Sequence, residues 1–176
     1  MEQAGSEGRR WKTTVIVSTS LQNHEVAYLL SNQQHRIRYS ECVEAGSVIF
    51  PLSGVAFMII DTMEFSDMRE EAGVFEKIEK FLHVHRNSFL LLVASLYGEK
   101  EWKVLSTIQQ RFLGSSLRIL PVHNSTEITR SMTTIAQVTS KPSIDSVRDR
   151  ISLARAHIID QSPMWEVLRK MQFDCE

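Results

Sequence analysis

The sequence predicts an α/β protein, a mostly parallel sheet flanked by helices and followed by a short C-terminal helical appendage. Three observations carry that expectation. Apolar runs of strand length, rich in β-branched residues, alternate along the chain with segments whose apolar residues recur every three or four positions. This alternation continues to about residue 140, where Lys141-Pro142 interrupts it, because the residue before a proline is pushed out of the helical region. A chain of 176 residues is also long enough to bury one such core without disulfide or metal staples.

Each element has its own justification. Residues 13–18 form a β-branched run, as expected of a strand covered on both faces. Asn23 then offers an N-cap, and Glu25 suits the positive end of a helix whose Val26, Leu29 and Leu30 share a face. Residues 36–39 alternate as a second strand. Residues 48–50 and 55–60 are joined by Pro51-Leu52-Ser53-Gly54, so a hairpin is expected, with its second run buried. Val74, Phe75, Ile78, Phe81 and Leu82 mark a helix, and residues 89–96 a buried strand. Trp102, Leu105, Ile108 and Phe112 form the next helical stripe, ended by Gly114, and residues 117–122 another strand. Asn124 and Glu127 stand at capping-box spacing before Ile128, Met132, Ile135 and Ala136.

Beyond Pro142, Ser143 can cap a helix carrying Ile144, Val147, Ile151, Ala154 and Ile158, and Ser162-Pro163 opens another. Such a hairpin is too small to fold alone, so its apolar stripes need the α/β body or a partner. Three regions are expected: 1–11 as a flexible N-terminus, 12–140 as the α/β domain and 141–176 as the helical segment.

Composition narrows the function classes. The formal net charge is −1, which argues against nucleic-acid binding by bulk electrostatics alone. The charge is unevenly spread: the stretch 61–80 is acidic, 141–170 is net basic, and Arg9-Arg10-Trp11-Lys12 is purely basic, so polyanion contact is expected to avoid the middle of the chain. Cys42 and Cys175 are isolated thiols without CxxC spacing, which fits a reducing compartment. The polar N-terminus does not read as a signal peptide and no apolar run is long enough to span a bilayer; an intracellular protein outside the membrane is expected.

The search for chemistry returns mostly bland readings. The turn after the first strand, Thr19-Ser20-Leu21-Gln22-Asn23, lacks the glycines that let a phosphate approach the backbone, and no GxSxG elbow occurs. His83 and His85 have the spacing of a strand ligand pair but follow a helix, and are read as an exposed helix-end pair. For metal-dependent nuclease chemistry the only candidate set is Asp61 with Glu101 and Lys103, and the last two read as solvated charges. No cofactor or small-molecule substrate is expected. Trp102 and Trp165 are read as core residues on helical stripes; Trp11 is open between packing at the sheet edge and lying against nucleic acid.

Four unbroken segments then carry a resemblance: Gln33-Gln34-His35-Arg36, Phe50-Pro51-Leu52-Ser53-Gly54-Val55-Ala56-Phe57, Gln109-Gln110-Arg111-Phe112-Leu113-Gly114 and Leu117-Arg118-Ile119-Leu120-Pro121-Val122-His123-Asn124. Over residues 11–171 the chain resembles the vertebrate homologues of the sporulation-sixteen family of meiotic crossing-over proteins. The resemblance implies an inactive XPF-nuclease-like domain with a truncated helix-hairpin-helix segment. It implies the non-catalytic half of a heterodimer with the shortage-in-chiasmata protein, acting on branched DNA intermediates on meiotic chromosomes in the nucleus. Active members of the XPF superfamily carry a Glu-Arg-Lys then Asp pattern on and after the strand that here reads Val55-Ala56-Phe57-Met58-Ile59-Ile60, and no Glu-Arg-Lys occurs in this chain. Their helix-hairpin-helix turns use Gly-apolar-Gly, whereas Gly114 is the last glycine here, so the appendage is expected to pack on a partner.

The expected DNA contacts are Arg9, Arg10, Lys12, Arg36, Arg38, Arg148 and Arg155, with Arg36 and Arg38 on one side of a strand. The expected partner interface comprises Ile151, Ile158, Trp165 and Leu168. The competing expectation is a protein-interaction scaffold that never touches DNA.

Overall fold

The computed structural model describes residues 11–65, 68–160 and 167. Its contacts divide the chain into two compact units, 1–139 and 140–176.

The first unit is built on one sheet. Its strands are β1 (Thr14–Ser18), β2 (Arg36–Ser40), β3 (Ser47–Phe50), β4 (Val55–Asp61), β5 (Ser88–Val93) and β6 (Arg118–Val122), in the spatial order β2-β1-β3-β4-β5-β6. β1 pairs with β2, β4 with β5 and β5 with β6 in parallel, and β3 is antiparallel to both β1 and β4. All strands except β3 therefore run the same way. The helices are α1 (Glu25–Asn32), α2 (Met68–Val84), α3 (Glu99–Arg111) and α4 (Ser125–Asp160).

Period-two alternation sends the side chains of the central strands to two cores, one on each face of the sheet. On one face Val15, Val17, Phe50, Phe57 and Leu91 meet Val26 and Leu30 of α1 and Ile128, Met132 and Ala136 of α4. On the other face Met58, Ile60, Leu90 and Leu92 meet Ile78 and Phe81 of α2 and Leu105 and Ile108 of α3. β4 and β5 thus lie between two helix layers, which is why their sequences read as unbroken apolar runs. The hairpin from β3 to β4 turns at Gly54, whose φ of +65° suits glycine and whose amide donates to the Phe50 carbonyl at 3.0 Å.

Several expectations are corrected. β1 is not covered equally on both faces: Thr14 and Ile16 are only half-buried, because α2 and α3 sit over β4 and β5 instead. The cap of α1 is His24, not Asn23. A 3₁₀ turn, Thr19–Leu21, draws the His24 amide onto the Leu21 carbonyl at 3.0 Å, leaving His24 extended with its Nδ1 accepting from the Val26 amide at 3.2 Å. β5 ends at Val93 and Leu96 is 80% exposed, since its neighbour β6 ends at Val122 and offers no further ladder. At the start of α4 the expected cap is present, with Asn124 Oδ1 accepting from the Glu127 amide at 2.8 Å.

The helix stop at Lys141-Pro142 is also absent, and with it a separate helix starting at Ser143. α4 continues through both residues to Asp160. Proline withholds one amide hydrogen, so the ladder lacks the bond to the Val138 carbonyl four residues earlier while the turns on either side continue. The expected second start at Ser162-Pro163 lies outside the described residues, and Val167 is helical.

Candidate functional site

Three places in the fold bear on function: the carboxyl end of the parallel strands, the outer edge of the sheet and the second unit.

At the carboxyl end of the strands a cleft of about 470 Å³ opens, lined by Ser20, Glu25, Asp61, Glu64, Lys77 and His123 among others. β4 reaches it as six buried residues followed by exposed Asp61. Asp61 Oδ1 accepts from the Met63 amide at 2.9 Å, and the Asp61 amide donates to Glu64 Oε1 at 3.3 Å. Lys77 Nζ of α2 lies 3.8 Å from Glu64 Oε2. Of the carboxylates here, Asp61 and Glu64 are thus spent on closing the turn after β4 and on a lysine. Glu101 and Lys103, weighed with Asp61 in the sequence, do not line this cleft: Glu101 Oε2 accepts from the Gly98 amide at 3.0 Å, and Lys103 is exposed. Glu64 was missed although it stands only three residues after Asp61 in the turn that follows β4, and Lys77 was missed because it reaches Glu64 only when α2 folds back along the sheet. Among the described residues no group of three or more His, Cys, Asp or Glu side chains is arranged to hold a metal ion.

The histidines are not an equivalent exposed pair. His83 is exposed in the last turn of α2, but His85 is half-buried against the Phe81 ring at 4.8 Å, and burial lowers its pKa. Trp102 departs from the core reading: it is 53% exposed and tilts against Tyr97 at 5.6 Å, while Leu105 and Ile108 face the core. Trp11 packs, stacked on Phe50 at 6.4 Å and edge-on to His35 at 5.4 Å.

β2 is an outer strand of the sheet. Arg36 and Arg38 are both exposed there and Ile37 between them packs against the core, so the two guanidinium groups share one side. Thr14 lies beside Arg36 in register, and Lys12, just before β1, is exposed. Neither Arg36, Arg38 nor Lys12 takes part in an ion pair among the described residues. Arg9 and Arg10 lie outside the described residues.

In the second unit every described side chain from 145 to 158 is exposed. Ile151 is 54% and Ile158 68% exposed, and Arg148 and Arg155 are exposed as well. Residues seven apart on a helix lie nearly in line, so Ile151 and Ile158 form one stripe and Arg148 and Arg155 another. Trp165 and Leu168 lie outside the described residues.

Among solved structures, XPF from Aeropyrum pernix in complex with DNA aligns with a TM-score of 0.58 at 11% identity, over 74% of this chain and 66% of that one. XPF from Aeropyrum pernix aligns with a TM-score of 0.60 at 10% identity, over 81% and 73%. The class of the molecule is therefore an XPF-nuclease-like α/β fold followed by C-terminal helix. The chain belongs to the family described as Protein SPO16 homolog, which it matches over residues 9–171. A human protein of that description is 51% identical over 176 residues, covering 100% of this chain and 97% of the human one.

Proposed function

We propose that the protein is the non-catalytic subunit of a heterodimer that binds and stabilises branched DNA recombination intermediates and promotes meiotic crossover formation on chromosomes in the nucleus. One observation carries the reading: an XPF-type sheet whose β4 is filled with Val55-Ala56-Phe57-Met58-Ile59-Ile60 and ends at an aspartate engaged by the Met63 amide. Methyl groups and a sulfide cannot build the carboxylate cradle that a divalent cation needs for phosphodiester hydrolysis. What such a fold retains is a shaped surface, and membership of the SPO16 homolog family supports its use in meiotic recombination. The shortage-in-chiasmata protein is the proposed partner, docking on the exposed stripe through Ile151 and Ile158, with Trp165 and Leu168 as further proposed contacts. Arg9, Arg10, Lys12, Arg36, Arg38, Arg148 and Arg155 are the proposed contacts to phosphate.

The test is binding of a three-way or four-way DNA junction by the purified chain, its partner and the two together. The expected outcome is tighter binding by the pair than by the partner alone, without strand cleavage. Equal binding by the pair and the partner would leave this chain as a scaffold that stabilises its partner without touching DNA.

A further inference from the structure

The parallel topology brings the starts of β1, β2, β4, β5 and β6 to one end of the first unit, and the approach to four of these five strands supplies a cation. Lys12 precedes β1, Arg36 opens β2, Arg86 precedes β5 and Arg118 opens β6. The register shows that they share a level: Thr14 lies beside Arg36, Phe50 opposite Val55, Ala56 beside Ser88 and Phe89 beside Arg118. Asn87 ties the middle of this end together, its carbonyl accepting from the Ala56 amide at 3.0 Å and its Nδ2 donating to the Gly54 carbonyl at 3.1 Å.

All four cationic side chains are exposed, and none takes part in an ion pair among the described residues. Arg118 is braced over the Phe89 ring at 5.2 Å, which holds its guanidinium at this end. The segments leading into β2, β5 and β6, residues 33–35, 85–87 and 112–117, contain no carboxylate. Glu79, further up α2, is taken by Arg111 at 3.2 Å. Carboxylates gather at the opposite end, where each parallel strand is followed by at least one: Glu25 after β1, Glu41 after β2, Glu64 after β4, Glu99 after β5 and Glu127 after β6. A chain of net charge −1 is thus folded into a body with one basic and one acidic end.

We propose that this strand-start end is a track for a DNA phosphate backbone, with Lys12 and Arg36 gripping on one side of the uncharged hairpin tip 51–54 and Arg86 and Arg118 on the other. Resting on the DNA-binding reading above, it adds Arg86 and Arg118, which lie in the part of the sequence expected to avoid polyanions. Five strand intervals of about 4.8 Å separate β2 from β6, so the track is roughly 24 Å long. Along one strand of B-DNA, with a phosphate every ~3.4 Å of axis, that length accompanies about seven phosphates. Cations of this kind read charge and spacing, not bases, which suits a ligand recognised by its branched shape.

The experiment compares the full chain with its partner, as wild type, as Arg86→Glu/Arg118→Glu and as Lys100→Glu/Lys103→Glu, whose lysines stand at the opposite end on α3. Junction DNA is titrated from low to physiological salt, and partner binding and thermal melting are measured alongside. The track predicts that Arg86→Glu/Arg118→Glu binds at least about tenfold more weakly, with a log-log salt slope flatter by about 1.8, or 0.9 for each phosphate no longer neutralised. The α3 pair should stay near wild type. Arg86→Gln/Arg118→Gln gives the same direction of change if charge reversal disturbs folding. Wild-type affinity and slope in folded Arg86→Glu/Arg118→Glu overturn the track while leaving DNA binding elsewhere on the complex intact. Weaker junction binding that comes only with loss of partner binding reassigns this end to a protein interface and also overturns the track. A wild-type complex that binds no junction DNA removes both the track and the DNA-binding reading.

Discussion

At the scale of single residues, His35 shows how a side chain can fasten a sheet margin. It is buried beside Trp11, its Nδ1 accepts from the Thr13 amide at 3.3 Å, and its Nε2 lies 3.2 Å from Gln33 Oε1. The first bond requires an unprotonated Nδ1, so the proton sits on Nε2 and the ring is neutral. Burial lowers its pKa from the ordinary 6.5. Between the folded and unfolded values the unfolded chain binds more protons, so stability is full above about 6.5 and falls as the pH drops towards the folded value. Thermal melts should therefore show a falling Tm below that pH. His35→Gln should reduce the slope without abolishing it, since His85 is shifted in the same direction by its own burial. An unchanged slope in that variant would show that other groups set the acid limit. No local pattern in the sequence marks His35 for this role, because its partners Thr13 and Trp11 lie on another strand's approach.

At the scale of elements, β2 and α4 carry the proposed contacts. Arg36→Ala with Arg38→Ala removes two exposed cations and no packing, so the fold should lose no more than about 0.5 kcal/mol. In the heterodimer the double change should weaken junction binding and flatten the log-log salt slope by about 0.9 for each phosphate left without its cation. An unaltered slope would transfer phosphate binding to other cations. On α4, Ile151 is more than half exposed in this chain, so Ile151→Asp should leave the melting temperature of the isolated protein nearly unchanged. If the helix docks on the partner, the same carboxylate is buried unpaired at a cost of several kcal/mol, on the order of a full hot spot, and co-purification should fail. Retained co-purification would place Ile151 outside the interface. The alternation in β2 was readable from the sequence, since residues two apart on a strand always share a side. The unbroken α4 was not: a rule for the residue before proline acts on one peptide, while turns on both sides of Pro142 continue the helix.

At the scale of the whole molecule, the expectation is binding without hydrolysis. Asp61 and Glu64 close a turn or pair with Lys77 and no metal-holding cluster of acidic, His or Cys side chains is found among the described residues, so magnesium or manganese should neither raise the melting temperature nor enable the chain alone to cut flaps, forks or junctions. Cleavage that tracks the purified chain and disappears in Asp61→Asn would overturn that expectation. The order of the six strands and of the helices between them, the inward-facing residues Val26, Leu30, Ile78, Phe81, Leu105 and Ile108, and the apolar filling of β4 were determined by the sequence on its own, whereas the run of α4 through Pro142 was not. They follow from periodicity, a property of neighbouring residues. Only the tertiary structure decided that β1 lies between β2 and β3, that Lys77 of α2 joins Glu64 beside Asp61, and that Lys12, Arg36, Arg86 and Arg118 line one end. Those juxtapositions depend on hydrogen bonds between strands and on packing between helices and strands far apart in the chain, and no local spacing encodes them.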